Sequence, residues 1–344
     1  MTTDVIISKE GRAGRVTLNR PKALHALTLS ICEQMTEALL SWINDDSVEF
    51  VIVDHLEGSR GFCAGGDITM LAKSGASDGA AAREFFQTEY RLNDLISRYP
   101  KPYIAMMDGV TMGGGVGISV HGRYRVATER TTFAMPETGI GLFPDVGGTW
   151  FLPKLSGEVG TWLALTGARV KGADVAALGL ATHFCESAQL SALKSSLIDG
   201  GIEVLDNYMP EGECSFAEHL AEIDTLFAGD CALTIKGRLE EGSEWAKGQA
   251  SKLNTASPLS TKIALHQMRT KESLGSLQDA LTLEYRVACR MVQSNDFQEG
   301  VRAVLIDKDQ SPKWHPASLP ATSADMVLQY FSPLDTGELS FLEI

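Results

Sequence analysis

The chain has 344 residues, 44% of them hydrophobic, which is enough to bury one large core or two ordinary ones. Its formal net charge of −14 and pI near 5.0 speak against a nucleic-acid or anionic-membrane partner, because either needs a dense field of Lys and Arg. Six cysteines (Cys32, Cys63, Cys185, Cys214, Cys231 and Cys289) contain no C-x-x-C pair, so neither a zinc cluster nor a disulfide framework is signalled, and a reducing compartment fits.

The N-terminal stretch "MTTDVIISKEGR" has no basic patch followed by an apolar run. No signal or transit peptide is therefore expected, and the expected location is cytoplasmic, or the mitochondrial matrix for a processed eukaryotic chain. A hairpin comes first: Val5 and Ile7 alternate with polar residues, "EGRAGR" turns, and Val16 and Leu18 resume the alternation. Thr28 then caps a helix on which Ile31, Met35, Leu39 and Trp42 recur at helical spacing. "EFVIVDH" is a continuous apolar run, the pattern of a strand covered on both faces, and it leads into glycine. A second helix, from about Ala81 to Arg98, carries Phe85, Leu92, Ile96 and Tyr99 on one face, and Pro100 and Pro102 frame the strand "YIAMMDG". "GGGVGISVHG" reads as a small-residue helix, "YRVAT" as a strand, and "GEVGTWLALTG" and "VKGADVAALG" as two further helices with glycine stops. The longest apolar runs fall far short of the roughly 20 residues a membrane helix needs.

Strand and helix alternate through this part, so the fold class is α/β, with glycine-rich loops at the strand ends. After about residue 205, "NYMPEGECSF" is a polar link and the remaining periodicity is helical. Leu277, Leu281, Glu284, Tyr285 and Ala288 share one stripe before "IDKDQSPKWHP" breaks the pattern. The division expected is a core over 1–205 and a mainly helical region over 206–344.

Three features can carry chemistry. "GFCAGGDI" opens a helix at about Asp67, and "GVTMGGGVG" does the same after the next long strand. Amides at helix starts have no intrahelical partner, and two of them aimed at one point make an oxyanion hole, for which Gly66 and Gly114 are the candidates. Tight turns or close helix packing would also explain such glycines. Secondly, Glu137 and Asp145 stand eight residues apart in "PETGIGLFPDVGG", among small and apolar neighbours. They are either solvated loop acids or buried ones, and burial without a partner costs several kcal/mol or raises the pKa. Thirdly, Glu89 lies on the stripe of Phe85, Leu92 and Ile96, at its solvated edge or lining a cavity.

Rival motifs fail on the same residues. The dinucleotide fingerprint needs glycine where Ile118 stands, a P-loop is absent, and the nucleophile elbow in "GISVH" has His121 at its second glycine, which leaves Ser119 as a packed helix serine. Cys63 reads as a small hydrophobe rather than a nucleophile.

"FCAGGDI", "TMGGGVG", "FAMPETGIGLFPDVGGTWFLPKL" and "EGVRAVLIDKDQSPKWHP" resemble the 3-hydroxyisobutyryl-CoA hydrolases, a thioesterase branch of the enoyl-CoA hydratase/isomerase (crotonase) superfamily, over about residues 5–317. The first two stretches are general to the superfamily and the last two are specific to the branch. The resemblance implies a spiral of β-β-α units with a C-terminal helical subdomain. It implies hydrolysis of 3-hydroxyisobutyryl-CoA, with 3-hydroxypropionyl-CoA as a further substrate, in valine catabolism. It matches Gly66 and Gly114 to the oxyanion hole, Glu137 and Asp145 to the catalytic acids, and Glu89 to a substrate contact; Gly114, Glu137 and Asp145 also contact substrate. No metal and no cofactor are implied, CoA being part of the substrate, and a homo-oligomer is compatible with it. Hydratases carry a catalytic Glu where this chain has Gly117, and glycine where it has Asp145. His25 stands where the family commonly has Asn, in a stretch associated with the CoA side. Two rival functions remain: an enoyl-CoA hydratase or isomerase, disfavoured by Gly117 and Asp145, and a non-catalytic scaffold or ribosome-associated member, a type that tends to lose the acids all present here.

Overall fold

The computed structural model describes residues 3–210, 214–270 and 273–344, so residues 211–213 of the predicted link lie outside the described residues. Strands β1 (Val5–Glu10) and β2 (Ala13–Leu18) make the expected antiparallel hairpin, with a turn narrowed to Gly11 and Arg12. Ile7 is exposed despite the alternation, because β1 is the outer strand of its sheet and little covers it. Helix α1 (Leu29–Ile43) starts as predicted: the Thr28 side chain accepts from Ile31 N–H, and Ile31, Met35, Leu39 and Trp42 are buried.

The continuous apolar run of β3 (Phe50–His55) has the expected cause. All six residues are buried, Val51 and Val53 in the main core and Phe50 and Ile52 in a second apolar cluster beneath the helix Leu190–Gly200.

Three strands of the first sheet are each followed by a short one in a second sheet. Thus β3 leads to β4 (Gly61–Cys63), β5 (Tyr103–Met107) to β6 (Val110–Met112), and β7 (Tyr124–Ala127) to β8 (Thr132–Ala134). With β9 (Val170–Lys171) and β10 (His183–Phe184), the first sheet runs β1-β2-β3-β5-β7-β10 and the second β4-β6-β8-β9, with β4, β6 and β8 parallel. This is a spiral of β-β-α units. Strands of two or three residues have no measurable period, which is why "GFCAGGDI" reads as a loop and "VKGADVAALG" as a helix, although the first begins with β4 and the second with β9, its helix being only Ala173–Ala177. Helices α2 (Ile68–Gly75), capped by Asp67, and α3 (Ala80–Ser97) complete one turn of the spiral, and α4 (Gly114–Val120) the next.

Among the described residues no strand follows Phe184. The helix Leu277–Met291 packs its buried stripe against α3, and the helix Asn295–Val301 continues through Arg302–Ile306 before the chain unwinds where the break was expected. Apolar residues of these helices join one contiguous core with α1 and the sheets.

Candidate active site

The C-terminal ends of β4, β6 and β8 lie side by side, and each releases a loop into one cleft of about 540 Å³. Gly65 and Gly66 follow β4, Gly113 and Gly114 follow β6, and Pro136 and Glu137 follow β8; Glu89 enters from α3 and Asp145 from the loop beyond. The structure therefore brings all five candidate residues together.

The two glycine amides are available for a ligand. Leu27 N–H donates to Gly65 O and Asp67 N–H to Leu27 O, a bridge that leaves out the N–H of Gly66. Gly114 is the first residue of α4, where an N–H has no intrahelical acceptor. The loops touch: a Cβ on Gly114 would sit 3.3 Å from Gly65 C and would overlap Glu89 Oε1, so only glycine admits that carboxyl. A proline at 66 would remove one of the two N–H groups, and the expected result is a fall in kcat of roughly 100-fold or more. Its added carbon would meet Phe85 Cζ at about the 3.0 Å of an added Cβ, so circular dichroism must accompany the assay. A folded Gly66→Pro variant with parental turnover would remove Gly66 from the hole.

Three carboxyls share the cleft with almost no solvent: Glu89 is 2% exposed, and Glu137 and Asp145 are each 5% exposed. Glu137 is the first residue of a short helical turn (Glu137–Ile140), and its Oε1 lies 3.1 Å from where a Cβ on Gly113 would be. Glu89 Oε1 and Glu137 Oε2 have no hydrogen-bond partner among the described residues. Burial, then the charges of Asp145 and Glu137, push the Glu89 carboxyl well above the usual range; burial and Asp145 do the same to Glu137. Burial lifts Asp145 only to about 6, because the Tyr90 hydroxyl donates to its Oδ2 at 2.8 Å. The Tyr90 donor thus favours the charged form of Asp145, while Glu89 Oε1 and Glu137 Oε2 have no such donor among the described residues.

Position 117 is closed. A Cβ on Gly117 would come within 2.8 Å of Val146 Cβ and 2.9 Å of Asn93 Nδ2. The rejected nucleophiles are occupied: the single Ser119 Oγ–H is shared between Gly115 O and Val116 O, and Cys63 donates to His25 O, its thiol pushed up to about 12 by burial. His25 is buried at φ 57°, a left-handed position that His and Asn both tolerate. Its Nδ1 accepts from Arg20 N–H at 3.0 Å, so Nε2 carries the proton toward Ser59 Oγ, and burial with His55 holds its pKa down to about 4. The exchange for Asn thus keeps a left-handed backbone and adds no charge at this position.

Sequence reasoning missed the support of Asp145. Tyr90 sits one residue beyond Glu89 and off the apolar stripe. His121 Nε2–H donates to Val146 O at 2.7 Å, and Glu284 accepts from Gly147 N–H and Thr149 N–H. The signal for Glu284 was the one that singled out Glu89, an acid within an apolar helical stripe.

The chain matches the family model described as enoyl-CoA hydratase/isomerase over residues 13–331. Its sequence is 45% identical to the mitochondrial 3-hydroxyisobutyryl-CoA hydrolase of Gallus gallus, covering 98% of this chain and 90% of that one. To the Homo sapiens protein of the same name it is 44% identical, covering 98% and 91%. Among solved structures, a carnitinyl-CoA dehydratase from Mycobacterium thermoresistibile superposes with a TM-score of 0.94 at 42% identity, covering 99% of both chains. An enoyl-CoA hydratase from Rhodobacter sphaeroides 2.4.1 gives 0.92 at 42% identity, covering 98% of this chain and all of the other.

Proposed function

The chain belongs to the enoyl-CoA hydratase/isomerase family, and from that premise we propose that it is a thioesterase that hydrolyses 3-hydroxyisobutyryl-CoA to the hydroxy acid and CoA, within valine catabolism. One observation carries the choice of reaction: the second acid facing Glu137 is Asp145, while position 117, where a hydratase needs its other glutamate, has no room for a side chain. The two similar structures are named as a dehydratase and a hydratase, and in this chain Asp145 and the closed position 117 weigh against that chemistry.

In the proposed mechanism the thioester oxygen accepts from Gly66 and Gly114 N–H, which stabilise the charge it gains when the carbonyl carbon is attacked. The Glu137 carboxylate attacks that carbon, the C–S bond breaks, and the CoA thiolate leaves and takes a proton; water then opens the mixed anhydride at Glu137 and frees the acid. Asp145, oriented by Tyr90, receives and returns the protons of the attacking water. Glu89, kept protonated by burial and by its neighbours, donates to the 3-hydroxyl.

With purified protein, thiol release from 3-hydroxyisobutyryl-CoA should far outrun loss of absorbance from an enoyl-CoA. The rate should climb as pH rises, and over a range above that of an ordinary glutamate, because burial and Asp145 favour the protonated form of Glu137 and attack needs its carboxylate. Enoyl hydration without thiol release would refute the thioesterase. A panel including 3-hydroxypropionyl-CoA would set the acyl preference, since one methyl is worth about 1–3 kcal/mol in a pocket. The mitochondrial names of the relatives favour the matrix over the cytoplasm for a eukaryotic chain. Among the described residues no helix is long and apolar enough to cross a membrane.

A further inference from the structure

We propose that Glu284, on the helix Leu277–Met291, is a positioning residue for Asp145: its carboxyl holds the left-handed turn at Val146 and Gly147 in the shape that presents Asp145 to the cleft. This rests on the reading of Asp145 as an active-site acid.

Glu284 has no solvent exposure and sits within an apolar helix face. A carboxyl in that place requires donors, and two backbone groups just beyond Asp145 supply them, beside the Thr149 side chain. Gly147 N–H reaches Oε2 at 2.7 Å, and Thr149 N–H reaches Oε1 at 2.8 Å. The turn needs such a hold. Val146 is β-branched yet has φ 50°, and Gly147 follows at φ 87°, a pair of left-handed residues that persists only where its surroundings fix it.

Other groups fix the remaining backbone atoms. His121 Nε2–H takes Val146 O at 2.7 Å, and Gln267 Nε2 reaches Pro144 O at 3.3 Å and Thr149 Oγ1 at 2.7 Å. Asp145 is thus suspended between fixed points on both sides, and the Tyr90 hydroxyl donates to its carboxyl. Glu284 does not line the cleft, and the backbone groups it holds belong to this turn. Glutamine cannot replace it, because one oxygen would become an amide group facing an N–H donor; aspartate keeps both oxygens but recedes by one methylene.

The test is a double-mutant cycle on the full chain, with Glu284→Gln, Asp145→Asn and the pair, measuring kcat and KM for 3-hydroxyisobutyryl-CoA beside thermal melts. Glu284→Gln should lower kcat about tenfold or more with KM changed less than about twofold, and in the Asp145→Asn background it should cost less than about threefold further. Glu284→Asp should give an intermediate loss, and it takes the place of Glu284→Gln in the cycle if that variant does not fold. Equal losses in both backgrounds, or a parental kcat in the Glu284 variant beside a crippled Asp145→Asn, would overturn the inference alone. A parental kcat in Asp145→Asn would overturn the reading of Asp145 and the inference with it.

Discussion

Glu137→Gln should lose several orders of magnitude in kcat, still bind substrate, and melt at a higher temperature than the parent at alkaline pH. The loss follows because amide oxygen neither attacks a thioester nor takes a proton from water near neutral pH. Binding survives because the exchange keeps shape and because the carboxyl has an oxygen with no partner to lose. The stability gain has a definite sign. The folded chain holds the Glu137 proton to a pH well above the ordinary value of 4.5, through burial and the charge of Asp145, so between those two values folded protein binds more protons than unfolded and stability falls as pH rises. Glutamine removes that slope. Single turnover in ¹⁸O-water then tests the chemistry: an anhydride opened at the Glu137 carboxyl carbon leaves label on that side chain, whereas label confined to the acid product means that water attacked the acyl carbon. A Glu137→Gln variant with near-parental turnover would return Glu137 to an ordinary buried acid.

Gly117→Glu, which installs the hydratase carboxylate, should give a badly destabilised protein with no gain of enoyl hydration. The obstacle starts at the first carbon, since a Cβ would stand 2.8 Å from Val146 Cβ and 2.9 Å from Asn93 Nδ2. Neither side can yield easily. Helix α4 is pressed against β4, where even a Cβ on Gly115 would overlap Cys63 O, and Val146 is tethered by His121. Overpacking of this kind costs about 1–3 kcal/mol, and an unpartnered buried carboxyl adds several more. Denaturant unfolding beside an enoyl-CoA assay checks both halves. A variant as stable as the parent that hydrates an enoyl-CoA would mean that position 117 does not separate the two reactions.

Much of this was legible because long elements carry period and caps. Thr28 and the apolar positions of α1 mark a helix without ambiguity, and the unbroken run in β3 announces a strand with both faces covered. The short strands β4, β6 and β8 leave no such trace; only the resemblance to a known spiral implied them. At the site, Glu89 and Glu137 drew notice as acids among apolar neighbours, and the glycine pairs as strand ends. What stayed hidden was pairing across sequence distance: nothing local in Tyr90 points to Asp145 55 residues on, or in Glu284 to Gly147 137 residues back.

That distance bears on how the molecule is made. When the strands, both amide donors and all three cleft acids have left the ribosome, the helices bearing Gln267 and Glu284 are still to be synthesised. Contacts between residues so far apart form late, because the intervening chain must first be ordered. The loop that carries Asp145 thus acquires its final shape only after the residues through Glu284 have emerged.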